Sequence, residues 1–411
     1  MGNYVWIMVA AVLAAAVVAA LPLVGKGAPV PAHARYSSLD GLRGYLAFFV
    51  FLHHSAYWYD HSHHIKPDDM QKGFIHLGHA SIALFFMITA FLFTLRVIEG
   101  RQKPVDWVRL YVSRVFRLAP LYLAVILVLL VIVGVLSGFA LAVPLPSLVK
   151  SAAVWLSFCF LGMPDVNAVD HTKLIVAAST WSLPYEWLFY LVLPLLGLAF
   201  GTVPPKRYLA LGALALASTW VWRPEPYLVL TFLGGVAAAM LSRSDRVKSA
   251  VSGRAGSLAA LACVAAAVGF FPRGDRLLPT VLYAAAFAII ACGNDIFGIL
   301  GSSVSRWIGQ MGYSLYLVHG LLLFVVFRFI LGPARAESLS ELQHWSVILA
   351  VAPVLVWICS LSFLWIEQPG MKAGGEVYWW MRRRWPGSLV RSPEAPAKVP
   401  PRSPTAGVKS L

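Results

Sequence analysis

Leu39-Asp-Gly-Leu-Arg43-Gly-Tyr-Leu-Ala-Phe-Phe-Val-Phe-Leu-His53-His54-Ser-Ala-Tyr-Trp58 sets a cation and an imidazole inside one apolar segment. Eleven steps at 100° per residue return His54 to the helix face of Arg43, about 16 Å further along the axis. An ionisable group in hydrocarbon is costly and needs a reason. One helix face therefore carries a fixed cation near one membrane surface and a titratable ring towards the other.

Composition extends this reading to the whole chain. Apolar residues make up 59% and charged residues 12%, and runs such as Leu121 to Val135 exceed what a soluble core shows. Windows of about 20 apolar residues fall near 44–59, 80–97, 118–137, 181–200, 208–222, 226–242, 256–272, 277–299, 310–332 and 346–366. A further span lies at 3–24. The expected fold is an all-α, polytopic membrane helical bundle of ten core transmembrane helices plus one extra N-terminal helix.

Charge orients the bundle. With 97–117 facing the cytoplasm, alternate crossings place 24 of the 33 Lys and Arg residues at the inner side, the positive-inside bias. That distribution also accounts for the net charge of +15, so no nucleic-acid partner is expected. Counting Leu148 to Met163 as a crossing would invert every later loop, so it reads as an interfacial or re-entrant helix on the outer face. The first span has no Lys or Arg before it and Lys26, Arg35 and Arg43 after it, so Met1 is placed outside. A signal peptide ending at Ala32-His33-Ala34 is the rival reading. Residues 1–35 form the N-terminal helix and linker, 36–372 the membrane domain, and 373–411 a basic, Pro-rich, disordered cytoplasmic tail in which Tyr378, Trp379, Trp380 and Trp385 surround Arg382 to Arg384. Cys159, Cys263, Cys292 and Cys359 are scattered singly and read as packing residues. No Gly-rich phosphate loop, HExxH motif or GxSxG elbow occurs.

Four motifs in order carry a resemblance: Leu39-Asp-Gly-Leu-Arg43-Gly44 with His54 ten intervening residues on, Arg114-Val-Phe-Arg117-Leu-Ala-Pro120, Trp181-Ser-Leu-Pro-Tyr-Glu186 with Phe189-Tyr190, and Gly312-Tyr313-Ser314-Leu315-Tyr316-Leu317-Val318-His319. Over about residues 36–370 the chain resembles acyltransferase family 3 of integral membrane proteins. The resemblance implies transfer of an acyl group, commonly acetyl from acetyl-CoA, onto a hydroxylated acceptor such as a surface polysaccharide or lipid-linked glycan, in the bacterial inner membrane. No metal is expected, since the histidines of this chain offer no stable ligand geometry. Trp187 stands where many relatives carry a second acid, which disfavours a two-carboxylate mechanism there, and the N-terminal span is additional to the common ten-helix pattern.

Within that frame His54 is the general base or acyl relay, against the alternative of a buried neutral histidine bonded to a carbonyl. His53 points about 100° away and is set aside. Arg43 either anchors its helix end beside Asp40, which also suits an N-cap, or holds donor phosphate or carbonyl oxygen. Arg114 and Arg117 are topogenic charges or a docking site for the phosphates of coenzyme A. Glu186, in the first turn after Pro184, offsets the helix dipole or, near the outer surface, orients the acceptor. Tyr316 and His319 share a face and line the donor route. Glu367 is expected to pair with an inner arginine. His61, His63, His64 and Asp60 suggest at most adventitious zinc. Two other classes stay open: a transporter of glycan or lipid with Arg43, His54, Glu186 and His319 in its pathway, and a membrane anchor acting through the basic tail.

Overall fold

Glycines in the opening motif decide how the bundle closes. A Cβ at Gly44 would lie 2.7 Å from the Gly309 backbone nitrogen, and one at Gly41 or Gly309 would overlap the Leu300 or Asp40 carbonyl. The helix carrying Arg43 thus meets its neighbour backbone to backbone, an approach that any side chain would prevent.

The computed structural model describes residues 5–24, 36–66, 69–102 and 104–384, and its regular structure is helical without strands among them. The linker residues 25–35, Met1, Lys103 and the Pro-rich stretch 385–411, including Trp385, lie outside the described residues. In chain order α1 (Val5–Ala20), α2 (Ser37–Ser62), α3 (Lys72–Glu99) and α4 (Trp107–Leu136) come first. A short α5 (Leu145–Leu156) and an irregular stretch with 3-10 turns at Thr172–Val176 and Ser179–Ser182 lead into α6 (Leu183–Ala199). Then follow α7 (Lys206–Trp222), α8 (Pro226–Leu241), α9 (Asp245–Val251), α10 (Gly253–Phe270) and α11 (Leu277–Ala291). The last described elements are α12 (Ser303–Gln310), α13 (Gly312–Phe324) with a π-helical extension Val325–Ile330, α14 (Pro333–Ser338), α15 (Glu341–Ser362) and α16 (Gln368–Arg384).

Each of the eleven apolar windows contains a helix. Seven helices among the described residues are long and apolar enough to cross a membrane, or eight if the bent pair α8–α9 is one span. The chain is an all-α, multi-pass membrane protein, and the count of eleven crossings goes beyond what length and composition of these helices establish. Helix α2 is absent from the seven although its 26 residues cover about 39 Å. Asp40, Arg43, His53 and His54 dilute its apolar content.

Helices α3 and α4 meet at a basic end marked by Arg96, Arg101 and Arg109. At the far end, Trp6 of α1 stacks on Phe74 near the start of α3, centroids 5.1 Å apart, so α1 and α3 both run towards the basic end. Helix α5 has 12 residues, about 18 Å, too short to cross, in keeping with the re-entrant reading. It folds back on α4, where the Tyr122 hydroxyl donates to the Trp155 carbonyl and Tyr122 stacks on Phe158 at 4.3 Å.

The boundary expected at 372/373 falls inside α16, so residues 373–384 are ordered helix instead of loose tail. Gly370 and Gly374 let α16 lie directly on α4, where a Cβ would come within 2.7 Å of Pro120 and 2.6 Å of Phe116. The Tyr378 hydroxyl donates to Asp106 and fastens the end. Cys159, Cys292 and Cys359 are buried, Cys263 is half-buried, and none is paired.

Candidate functional site

A cavity of 560 Å³ opens between α2, α3, α4, α6 and α13. Five of the seven residues singled out in the sequence line it: Arg43, Arg114, Arg117, Glu186 and Tyr316. Helix α2 starts at Ser37 with Tyr36 at the N-cap position, so Asp40 lies a full turn too far along to cap it and instead faces Arg43 at 3.8 Å. Arg117 lies 3.6 Å from Glu367, a fully buried carboxylate that also accepts from the Ser314 hydroxyl. The pairing expected for Glu367 is therefore present. Arg114 sits over the Phe93 ring at 5.2 Å, and its Nε is buried without a hydrogen-bond partner. Three guanidiniums face a cavity in which the nearest carboxylates are loosely engaged, a donor set suited to an anionic ligand.

Glu186 falls in the first turn of α6 after Pro184, as its sequence position indicates. Its depth differs from the outer-surface placement. Tyr185 packs 6.2 Å from Phe86, halfway along α3, so Glu186 lies deep in the bundle and shares the cavity of Arg43 and Arg114. The cause is the stretch before α6, which re-enters the bundle before the helix starts: the Val176 backbone sits against Gly320 of α13, where a Cβ would overlap it. The carboxylate accepts the Tyr190 hydroxyl one turn on. Trp187 is buried edge-on to Tyr190 at 5.8 Å.

Tyr316 closes the cavity towards the far end. Its hydroxyl donates to the Ser179 carbonyl at 2.6 Å and accepts from Ser182 at 2.7 Å. His319, three residues on, does not line the cavity but meets His54: His319 Nε2 is 3.0 Å from His54 Nδ1, with the rings tilted 30°. Carbonyls only accept, so the 2.9 Å contact of His319 Nδ1 with the Leu315 oxygen puts the proton on Nδ1 and leaves Nε2 an acceptor. His54 Nδ1 must then carry its own proton, shared between His319 Nε2 and the Val50 oxygen at 3.0 Å. The lone pair of a neutral His54 is thereby assigned to Nε2, which makes no hydrogen bond among the described residues. His53 diverges as helix geometry requires and bonds the Phe74 carbonyl of α3 at 2.9 Å.

On the far side of the histidine pair lies a second cavity of 620 Å³, bounded by the ends of α2, α4 and α13, by α14 and by the loop before α6. Trp58, one turn beyond His54, and Phe324, five residues beyond His319, form part of its floor. Neither histidine lines either cavity; along α2 and α13 the pair lies between residues that do, Tyr316 on one side and Trp58 and Phe324 on the other. Sequence reading missed this cleft because its polar residues come from one loop, with Asp170 and His171, and from three helices, with His61, Arg328 and Glu337, without motif spacing. Tyr190 and Tyr313 stand in the quoted motifs but carry no assigned role there, although Tyr190 at i+4 from Glu186 was a usable signal. Tyr313 donates to the Leu118 carbonyl at 3.0 Å and helps wall the first cavity. Among the described residues no three His, Cys, Asp or Glu side chains are grouped to hold a metal ion. His63 instead bonds the Tyr59 and Leu339 carbonyls at 2.9 and 3.0 Å.

Residues 36–365 match the family model described as an acyltransferase domain, Acyl_transf_3. No curated protein and no solved structure matches the chain.

Proposed function

Because the chain belongs to acyltransferase family 3 and is a multi-pass membrane acyltransferase, we propose that it transfers an acyl group from acyl-CoA to a hydroxyl of a cell-surface or secreted glycan. Acetyl is the group implied by the family resemblance, and the bacterial inner membrane, basic end inwards, is the proposed setting. The observation that carries this reading is the histidine pair, which leaves the His54 Nε2 lone pair uncommitted between two chambers.

The arginine cavity takes the donor. Arg114 and Arg117 hold the phosphates of coenzyme A by charge-assisted bonds, and Arg43 binds further along its pantetheine arm or at the thioester oxygen. The thioester carbon comes to rest beside Tyr316 and His54. His54 Nε2 takes the proton of the acceptor hydroxyl as its oxygen bonds to the thioester carbon. The C–S bond then breaks, and the imidazolium returns the proton to the departing thiolate. His319 holds the imidazole in the tautomer that this step needs. Glu186, deep in the same cavity, balances the arginine charge and fixes Tyr190. Joining a donor from one compartment to an acceptor from the other accounts for the use of a membrane scaffold.

The test is transfer of radiolabel from acetyl-CoA into glycan-containing material, using membranes with wild-type protein or His54→Ala at matched expression. Label that appears with wild type and is lost with the variant supports the reading. Equal labelling removes His54 from the mechanism, and no labelling with either counts against acetyl-CoA as donor.

A further inference from the structure

The second cavity has a composition unlike the first. Trp58 stacks on Phe327, centroids 5.5 Å apart and planes 14° from parallel, and meets Phe324 edge-on at 6.0 Å. Around this aromatic floor stand His61, Asp170, His171 and Arg328, all exposed, whose side chains make no hydrogen bond among the described residues. Glu337 at the rim is 3.7 Å from His64. Asp170 and Glu337 outnumber the one arginine, whereas three arginines face the first cavity.

We infer that this cleft is the acceptor subsite and that it takes an uncharged glycan in preference to a uronate-rich or phosphorylated one. The assignment rests on the acyl-transfer reading and supplies its acceptor class. A pyranose ring presents an apolar C–H face and a rim of hydroxyls, matching an aromatic floor edged by unengaged donors and acceptors. A polyanionic chain would set its carboxylates against Asp170 and Glu337 with Arg328 as the one permanent cation beside His61, His64 and His171, an arrangement that disfavours it while those imidazoles are neutral. Position supports the same assignment. Trp58 follows His54 by one turn, about 6 Å, so a sugar on this floor directs a hydroxyl back towards the imidazole. The chamber of 620 Å³ lies within the range of small-ligand sites, about 300 to 1,000 Å³.

The test uses the full-length protein in lipid nanodiscs, titrated with a neutral glucan hexasaccharide and separately with a galacturonate oligomer of equal length, contact being read by saturation-transfer NMR. The neutral sugar is expected to bind. The double variant Asp170→Ala/Arg328→Ala, whose net charge equals that of wild type, should weaken it at least about tenfold, the loss of one or two hydrogen bonds, while eluting and melting as wild type does. Stronger binding of the galacturonate, binding of neither sugar, or unchanged affinity in the double variant would overturn the assignment. Label transfer from acetyl-CoA, measured on the same samples, separates the two claims. Sugar binding lost in the double variant, without transfer by wild type, overturns the acyl-transfer reading and leaves the site. Transfer by wild type with sugar binding indifferent to the double variant overturns the site alone.

Discussion

His319 Nε2 lies 3.0 Å from His54 Nδ1, so the orientation of one imidazole depends on the other. If this contact holds His54 in its reactive tautomer, His319→Ala should lower kcat about 10²-fold, the scale of a small misplacement of a reacting group, with the KM for acyl-CoA nearly unchanged. His319→Gln, whose amide oxygen accepts a hydrogen bond, should recover part of the loss. Steady-state kinetics on both variants checks the split; a loss confined to KM would place His319 in donor binding instead.

Arg114 presents a buried Nε without a partner to the same cavity as Arg43 and Arg117. Arg114→Ala should raise the KM for acyl-CoA about 10- to 100-fold, the value of a charge-assisted hydrogen bond, with a smaller effect on kcat. Arg114→Lys should restore little, since the planar fork over Phe93 is lost. Initial rates across acyl-CoA concentrations, repeated at two ionic strengths, provide the check.

The crossing of α2 and α12 leaves no room for a methyl group at Gly309, where a Cβ would overlap the Asp40 carbonyl, whereas nothing lies within 4 Å of a Cβ at Gly375. Gly309→Ala should cost about 1–3 kcal/mol or more and reduce the folded yield. Gly375→Ala, inside α16, should be neutral or stabilising by about 0.5–1 kcal/mol. Fluorescence-detected size exclusion after graded heating distinguishes the two.

Glu367 is fully buried and is the counterion of Arg117. Glu367→Ala should lower the melting temperature through a loss of about 1–3 kcal/mol, because the Ser314 hydroxyl loses its acceptor and Arg117 its carboxylate. Glu367→Gln, which keeps an acceptor for Ser314, should lose less. Equal losses in the two variants would assign the whole effect to charge.

Much of this arrangement was legible in the residues. Apolar windows found every long helix except α16, whose composition is polar, and charge parity separated α5 from a crossing, because both signals follow from the solvent properties of a bilayer. Helix ends were read short: α3 starts at Lys72 and α4 at Trp107, several residues outside their apolar windows, because polar first and last turns are buried against protein or project beyond the apolar core. The depth of Glu186 was misjudged because parity counts whole crossings, whereas the chain before α6 dips into the bundle and begins the helix midway. Arg43 and His54 do share a face, yet the link from one to the other runs through Tyr316 and His319 on α13, a neighbour that helix periodicity alone cannot identify. The glycines of the first motif carry no role in the sequence reading, and in the fold they mark the close approach of α2 to α12.

The most direct measurement is kcat for acyl transfer by purified His54→Ala and His53→Ala beside wild type, with folded protein quantified in each sample. The two histidines are adjacent in sequence and differ in partner: His54 meets His319, and His53 meets the Phe74 carbonyl. His54→Ala should lose at least about 10²-fold, and His53→Ala should retain most activity. Comparable rates for wild type and His54→Ala, or a larger loss at His53, would contradict the role assigned to His54.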